Sequence, residues 1–197
     1  MRDIIRMIVV LAVLAACSGG LLAAVKSGTA EQIEVQQLKF VKGPAIRDIL
    51  KGASNDPIQD RFKLMDGETE RTFFVGKLSD GRTAVAYETF GKGFGGDVGI
   101  MVGVEPKTDT IVGIGVTTHS ETPGLGSRAK TDEGFKSNFR GLSIKDPIKV
   151  NKDGGSVDAI SGATITSRGV CEGITGSADF YLRLKSKIVE KAESFSE

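Results

Sequence analysis

From Met7 to Val25 the chain carries no charge and consists mostly of Ile, Val, Leu and Ala. As a helix this stretch is about 28 Å long, enough for one bilayer crossing. Ser27 to Lys42 then mixes Gln, Glu and Lys with Ile33, Val35, Leu38 and Phe40, and reads as a juxtamembrane helix or stalk. Pro44, Ile46, Ile49 and Leu50 predict a short helix that begins at a proline and ends at Gly52, and Asn55-Asp56-Pro57 marks a turn. From Arg71 the pattern changes. Thr72 to Leu78 and Arg82 to Phe90, separated by Ser79-Asp80-Gly81, predict a β-hairpin; Val98 to Glu105 and Thr110 to Thr118 repeat it around Pro106-Lys107-Thr108-Asp109. Neighbouring strands with such short connections imply an antiparallel sheet. Glu133 to Phe139 predicts one or two helical turns with Phe135 and Phe139 on one side, Pro147 to Val150 a short strand, and Lys152-Asp153-Gly154-Gly155 a turn. A last long helix runs from Arg168 to Glu193, with Val170, Ile174, Ser177, Tyr181, Leu184 and Ile188 on one face and Thr166 or Ser167 as its cap. Strands in one block with helices at the ends predict an α+β fold: an N-terminal transmembrane helix followed by one antiparallel-sheet domain with flanking helices. The predicted divisions are 1–26 for the anchor, 27–70 for a juxtamembrane helical segment and 71–197 for the domain.

Charge gives the first segment an orientation. Arg2 and Arg6 precede the apolar run while only Lys26 follows closely, so the amino end stays in the cytoplasm and the domain lies outside, on the periplasmic or extracytoplasmic side of the cell inner membrane. A secretory signal peptide has a similar charged start, and Leu14-Ala15-Ala16-Cys17 resembles a lipobox that would make Cys17 a lipidated first residue. The apolar run continues past Cys17 to Val25, which favours an uncleaved single-pass anchor. All three readings place the domain on the same side. The 26 Lys and Arg residues balance 25 Asp and Glu, which excludes the basic stripe of a nucleic-acid partner. Cys17 and Cys171 form no disulfide framework, so the domain has to hold together by its own core. A single histidine without a cysteine pair argues against a transition-metal site.

Candidate chemistry gathers in three stretches. In Asp158-Ala159-Ile160-Ser161-Gly162-Ala163-Thr164-Ile165-Thr166-Ser167, Gly162 lets the backbone come close to a bulky ligand, and Thr164 lies just before the predicted helix. Free backbone N–H groups and the positive end of the helix dipole favour a phosphate there. A turn plus a cap uses the same residue types, so spacing alone leaves both a structural turn and a phosphate ester on Thr164 open. Gly91-Lys92-Gly93-Phe94-Gly95-Gly96 is neither a Walker loop nor a dinucleotide fingerprint; it is either a wide turn or a place of close backbone approach to a planar ring. His119-Ser120-Glu121-Thr122-Pro123-Gly124-Leu125-Gly126 places the histidine, a carboxylate and a hydroxyl at a strand end. A hydrolase could be drawn from His119 and Glu121, but Gly-x-Ser-x-Gly is missing.

Asp158, Ser161, Gly162, Ala163 and Thr164 resemble the flavinylation motif Asp-x-x-Ser/Thr-Gly-Ala-Thr of proteins that carry FMN joined through its phosphate to the last threonine. The octapeptide from His119 resembles the same family's His-x-Glu-Thr-Pro-Gly-Leu-Gly, and Phe94-Gly95-Gly96 its aromatic-Gly-Gly stretch. Phe135, Phe139 and Gly141 also fit the family's spacing. The chain is thereby similar to the G subunit of the Rnf electron-transport complex, whose FMN-binding domain is shared with the C subunit of the sodium-translocating NADH:quinone oxidoreductase. The likeness covers Phe94 to about Val170 and implies that 71–197 is an FMN-binding domain with a covalent phosphoester to Thr164. It further implies cofactor contacts from Asp158, Ser161, Gly162, Ala163 and Thr166, from Gly95 and Gly96, and from His119, Glu121, Thr122, Gly124 and Leu125. No catalytic residue and no metal ligand is implied. The function it implies is that of an electron carrier within a membrane-bound, ion-translocating translocase. Its partners would be the other Rnf subunits, the membrane and a flavin transferase for maturation. The alternative is a membrane-anchored or lipidated extracytoplasmic flavoprotein or binding module outside such a complex.

Overall fold

The structure, a computed structural model, describes residues 2–79 and 81–195. Asp80 of the predicted hairpin turn, the first residue of the predicted anchor and the last two of the predicted domain lie outside the described residues. The chain divides into two units between Lys39 and Phe40.

The first unit is a single helix, α1 (Arg2–Gln37). Within Arg2–Ala30 the most apolar 18-residue window has a mean hydropathy of 2.6, and none of that window is buried. By length and composition this helix is long and apolar enough to cross a membrane once. The helix ends in a π-helical turn, Leu38–Lys42, so the predicted stalk from Ser27 to Lys42 is helical throughout.

The second unit is built on a five-stranded sheet whose strands lie side by side in chain order, all antiparallel. They are β1 (Arg61–Asp66), β2 (Thr69–Lys77), β3 (Thr83–Lys92), β4 (Asp97–Glu105) and β5 (Thr110–Val116). On one face Val85 and Tyr87 of β3 pair with Val104 and Val102 of β4, and Val102 pairs in turn with Ile114 of β5. The long helix α5 (Thr164–Ser194) covers that face with the predicted Val170, Ile174, Ser177, Tyr181, Leu184 and Ile188, all buried. Tyr87 stacks on Tyr181 with ring centroids 5.9 Å apart, and its hydroxyl shares a 3.1 Å hydrogen bond with Ser177 Oγ. The polar tip of a buried ring is thus satisfied.

The opposite face is lined by glycine. Gly103, Gly113 and Gly115 leave room for the short helix α2 (Gly43–Ile49), and a Cβ on Gly115 would come within 3.0 Å of the Ala45 Cβ. Both faces of β4 are therefore buried, one under large side chains and the other under a closely approaching helix. The helical turns α3 (Arg128–Thr131) and α4 (Glu133–Ser137) follow β5, and Phe135 meets Phe139 edge to face at 5.3 Å as their spacing predicts.

Three local expectations are corrected. β1 falls inside the 27–70 stretch read as helical: its exposed and half-buried residues alternate, so it is a sheet edge with no fully buried position to announce it. Pro147 to Val150 forms no strand, only a parallel bridge from Val150 to Val157. Helix α5 begins at Thr164 rather than Arg168, after Ala163, which makes no side-chain cap. Thr166 and Ser167 do not cap it, because their hydroxyls point inward to Glu121 and to the Ala163 carbonyl.

Candidate functional site

Three segments converge at the start of α5: the β3–β4 connection, the loop after β5, and residues 160–167. The β3–β4 connection turns tightly, with Gly93 N–H donating to the Gly96 carbonyl at 2.8 Å and Gly96 at φ 137°. That conformation is open to glycine and strained for other residues. Beyond β5, Glu121 is 6% exposed, and its backbone N–H donates to His119 Nδ1 at 3.3 Å.

The Glu121 carboxylate joins the three segments. Oε1 accepts from the Gly95 N–H at 2.8 Å, and Oε2 accepts from the Thr166 hydroxyl at 2.5 Å. The space it occupies exists because of glycine: a Cβ on Gly93 or on Gly126 would overlap a carboxylate oxygen, and one on Gly95 would overlap the Ser120 carbonyl. Ser167 completes the frame by accepting from the Ile160 N–H at 3.0 Å and donating to the Ala163 carbonyl at 3.0 Å.

Above this frame is an open cleft of about 480 Å³, lined by Phe94, Glu121, Thr122, Leu125, Gly126, Lys152 and the stretch from Gly162 to Thr166. Thr164 is half-buried at its edge, and its hydroxyl bonds to no other described residue. The N–H groups of Thr164, Ile165 and Thr166 have no backbone acceptor among the described residues, as expected for a helix's first turn. Around them Phe94 is 72% exposed, Leu125 48% and Ile165 49%. Large apolar side chains left in water next to a free hydroxyl and free N–H groups suit a ligand with a flat apolar body and a phosphate.

Of the residues predicted from sequence, Glu121, Thr122, Leu125, Gly162, Ala163, Thr164 and Thr166 line the cleft together. Gly95 reaches it through its bond to Glu121. His119, Gly124, Gly96, Ser161 and Asp158 do not line it. His119 is half-buried behind Glu121, Gly124 turns the loop at φ 75°, and Ser161 is exposed. Asp158 accepts from Asn151 Nδ2 at 2.7 Å and so ties down the turn before Lys152.

Phe94, Gly126, Lys152 and Ile165 are the cleft residues that the sequence did not single out as contacts, although Phe94, Gly126 and Ile165 lie inside its motif stretches. Lys152 lies in a 3-10 turn, Asn151–Asp153, that is held on both sides. Asp153 accepts from Arg168 Nε at 2.6 Å and Nη2 at 2.7 Å, and this guanidinium holds the Asp153 carboxyl below the usual carboxylate range. The only signal for Lys152 was a basic residue beside an Asp-Gly-Gly turn, which any exposed loop also provides. Cys171 is a buried thiol pushed up to about 12 by burial, so it contributes packing rather than reactivity.

A family model described as the FMN-binding domain matches residues 93–178, a span that holds every cleft residue. The G subunit of the ion-translocating oxidoreductase complex of Methanosarcina acetivorans is 34% identical over 182 residues, which cover 91% of this chain and 95% of that protein. The protein of the same name from Vibrio cholerae serotype O1 is 31% identical over 182 residues, covering 87% of each. Among solved structures, the C subunit of Na(+)-translocating NADH-quinone reductase from Parabacteroides distasonis has a TM-score of 0.62 at 24% identity, covering 78% of this chain and 94% of that one; that likeness is one of fold.

Proposed function

Because the chain belongs to the family of G subunits of ion-translocating oxidoreductase complexes, we propose that it is a membrane-anchored electron carrier of such a complex and holds FMN as a phosphoester on Thr164. The observation that carries the reading is the Thr164 hydroxyl. It is unbonded among the described residues and sits where α5 offers free N–H groups, on the edge of a cleft with an apolar rim.

Bound FMN supplies chemistry that passes electrons singly or in pairs. The chain's residues do the holding. The first-turn amides of α5 and the Lys152 ammonium would hold the phosphoryl group, and Phe94, Leu125 and Ile165 would cover the apolar ring. Thr164 is used up as the attachment point and transfers no proton. Attachment would draw on a separate flavin transferase and FAD, with the Thr164 oxygen displacing AMP from the FMN phosphorus as the pyrophosphate bond breaks and the hydroxyl proton passing to solvent. A covalent tether keeps the cofactor in a compartment that supplies no free flavin. Arg2 and Arg6 ahead of the apolar span of α1 support a domain on the extracytoplasmic side, next to the other subunits of the complex.

Peptide mapping by mass spectrometry of full-length protein coexpressed with a flavin transferase tests the attachment. The added mass is expected on Thr164, retained in Thr166→Ala and absent in Thr164→Ala. A bare Thr164 side chain in the protein matured in this way would overturn the reading.

A further inference from the structure

We propose that Glu121 is a positioning residue, a latch that sets the opening of the cleft by holding the Phe94 loop to the first turn of α5. The proposal rests on the FMN reading for its purpose, and on hydrogen bonds and glycine contacts for its existence.

A buried carboxylate with two oxygens is suited to join two donors. One oxygen takes the backbone N–H of Gly95, next to Phe94, and the other takes the hydroxyl of Thr166, two residues beyond Thr164. Such charge-assisted bonds are shorter and stronger than neutral ones. Glu121 has no cationic partner among the described ion pairs of the domain, so these donors and its own backbone are what holds it. Gly93, Gly95 and Gly126 leave no room for side chains around it, so the loop packs onto the carboxylate itself.

Two consequences follow for the cleft. The wall that carries Phe94 moves with the helix turn that carries Thr164, so the apolar wall and the attachment point keep a fixed separation. Thr166, 1% exposed with its proton committed to Glu121, is withdrawn as an acceptor beside Thr164.

The test uses full-length protein in detergent, made with and without coexpressed flavin transferase, as wild type, Glu121→Ala, Glu121→Gln and Thr166→Val. In the flavin-free proteins amide hydrogen exchange is followed in peptides covering residues 93–98 and 163–168. Glu121→Ala is expected to speed both by about tenfold, the factor given by one net hydrogen bond, while the β2 and β3 core peptides keep their protection. Glu121→Gln, which retains one acceptor, restores most of the protection. Should Glu121→Ala fold poorly, Thr166→Val removes one arm and is expected to loosen both peptides as well. Unchanged exchange in both peptides, or loss of protection spread evenly over the sheet, would overturn the latch. In the flavin-loaded proteins Glu121→Ala is expected to lose most of the visible circular dichroism of the flavin and to expose its fluorescence to iodide, with Glu121→Gln recovering both. Unchanged spectra and quenching would reject the role in the cleft. If wild type carries no flavin on Thr164, the FMN reading fails, and the exchange measurements still decide the latch.

Discussion

Gly91 on β3 and Gly169 on α5 meet backbone to backbone: a Cβ on Gly91 would overlap the Gly169 carbonyl, and one on Gly169 would overlap the carbonyl of Lys92. Gly173, one turn further on, repeats the contact, since its Cβ would lie 2.9 Å from the Gly91 Cα. At Gly91 and Gly169 every atom met is backbone, which cannot move aside as a flexible side chain could. The contact presses the first turns of α5 onto the end of β3, just before the Phe94 loop. Gly91→Ala is therefore expected to cost about 3 kcal/mol, the upper end of ordinary overpacking, and to lower flavin attachment with it. Gly176→Ala is the control: this glycine lies in the same helix with nothing within 4 Å, and alanine there is expected to stabilise by up to about 1 kcal/mol. Urea unfolding of the two variants checks the opposite signs.

The strands β2 to β5 and the buried face of α5 were legible because alternation and helical spacing carry their own signature. β1 was not, because Arg61, Lys63 and Met65 keep one side of it exposed and Phe62 and Leu64 are only partly covered. The glycines at 103, 113 and 115 could be seen, but not that α2 fills the space above them. The same limit holds at the site. Motif residues such as Thr164 and Gly162 were visible in sequence, whereas Lys152 arrives by tertiary contact, through Asn151 to Asp158 and Asp153 to Arg168. Glu121 was visible as a pocket candidate, and only the geometry separates a carboxylate that clamps from one that contacts a ligand.

Lys152 offers a test of the phosphoryl assignment that leaves Thr164 intact. It is exposed, and its turn is held by neighbours on both sides, so replacing it leaves the fold unchanged. Lys152→Ala is expected to reduce the flavinylated fraction severalfold, and Lys152→Glu to reduce it further by repelling the phosphate. Intact-mass measurement gives the fractions directly. Equal fractions in wild type and Lys152→Glu would remove the lysine from the site.

The orientation of α1 has its own outcome. Arg2 and Arg6 stand before the apolar span, so protease added to intact spheroplasts is expected to remove the domain, and inverted vesicles to protect it. Changing both arginines to glutamate should reduce the fraction inserted in this direction. An intact-mass measurement that retains residues before Cys17 would also exclude lipid processing at that residue.

Asp109 supplies the pH prediction. It is 2% exposed, sits at φ 58°, and accepts from the Tyr181 hydroxyl at 3.1 Å and from Lys185 at 2.7 Å, with Lys145 on the same carboxylate. Burial pushes its carboxyl up, but donation from Lys145, Lys185 and Tyr181 outweighs that and leaves it below the usual carboxylate range. A carboxyl lowered by folding stabilises the native state above its unfolded value of about 3.9, and that contribution disappears as pH falls through the folded value. Asn tolerates the positive φ and still accepts from Tyr181, so Asp109→Asn removes mainly the charge. Lys145 is 54% and Lys185 31% exposed, so solvent screening keeps the expected cost at pH 7 to about 1–2 kcal/mol. In urea unfolding from pH 7 downward, the wild-type advantage over Asp109→Asn should hold to about pH 4 and then shrink as the carboxyl takes up its proton. A gap that stays constant into acid would mean that shape at this turn, rather than the charge, is what the substitution disturbs.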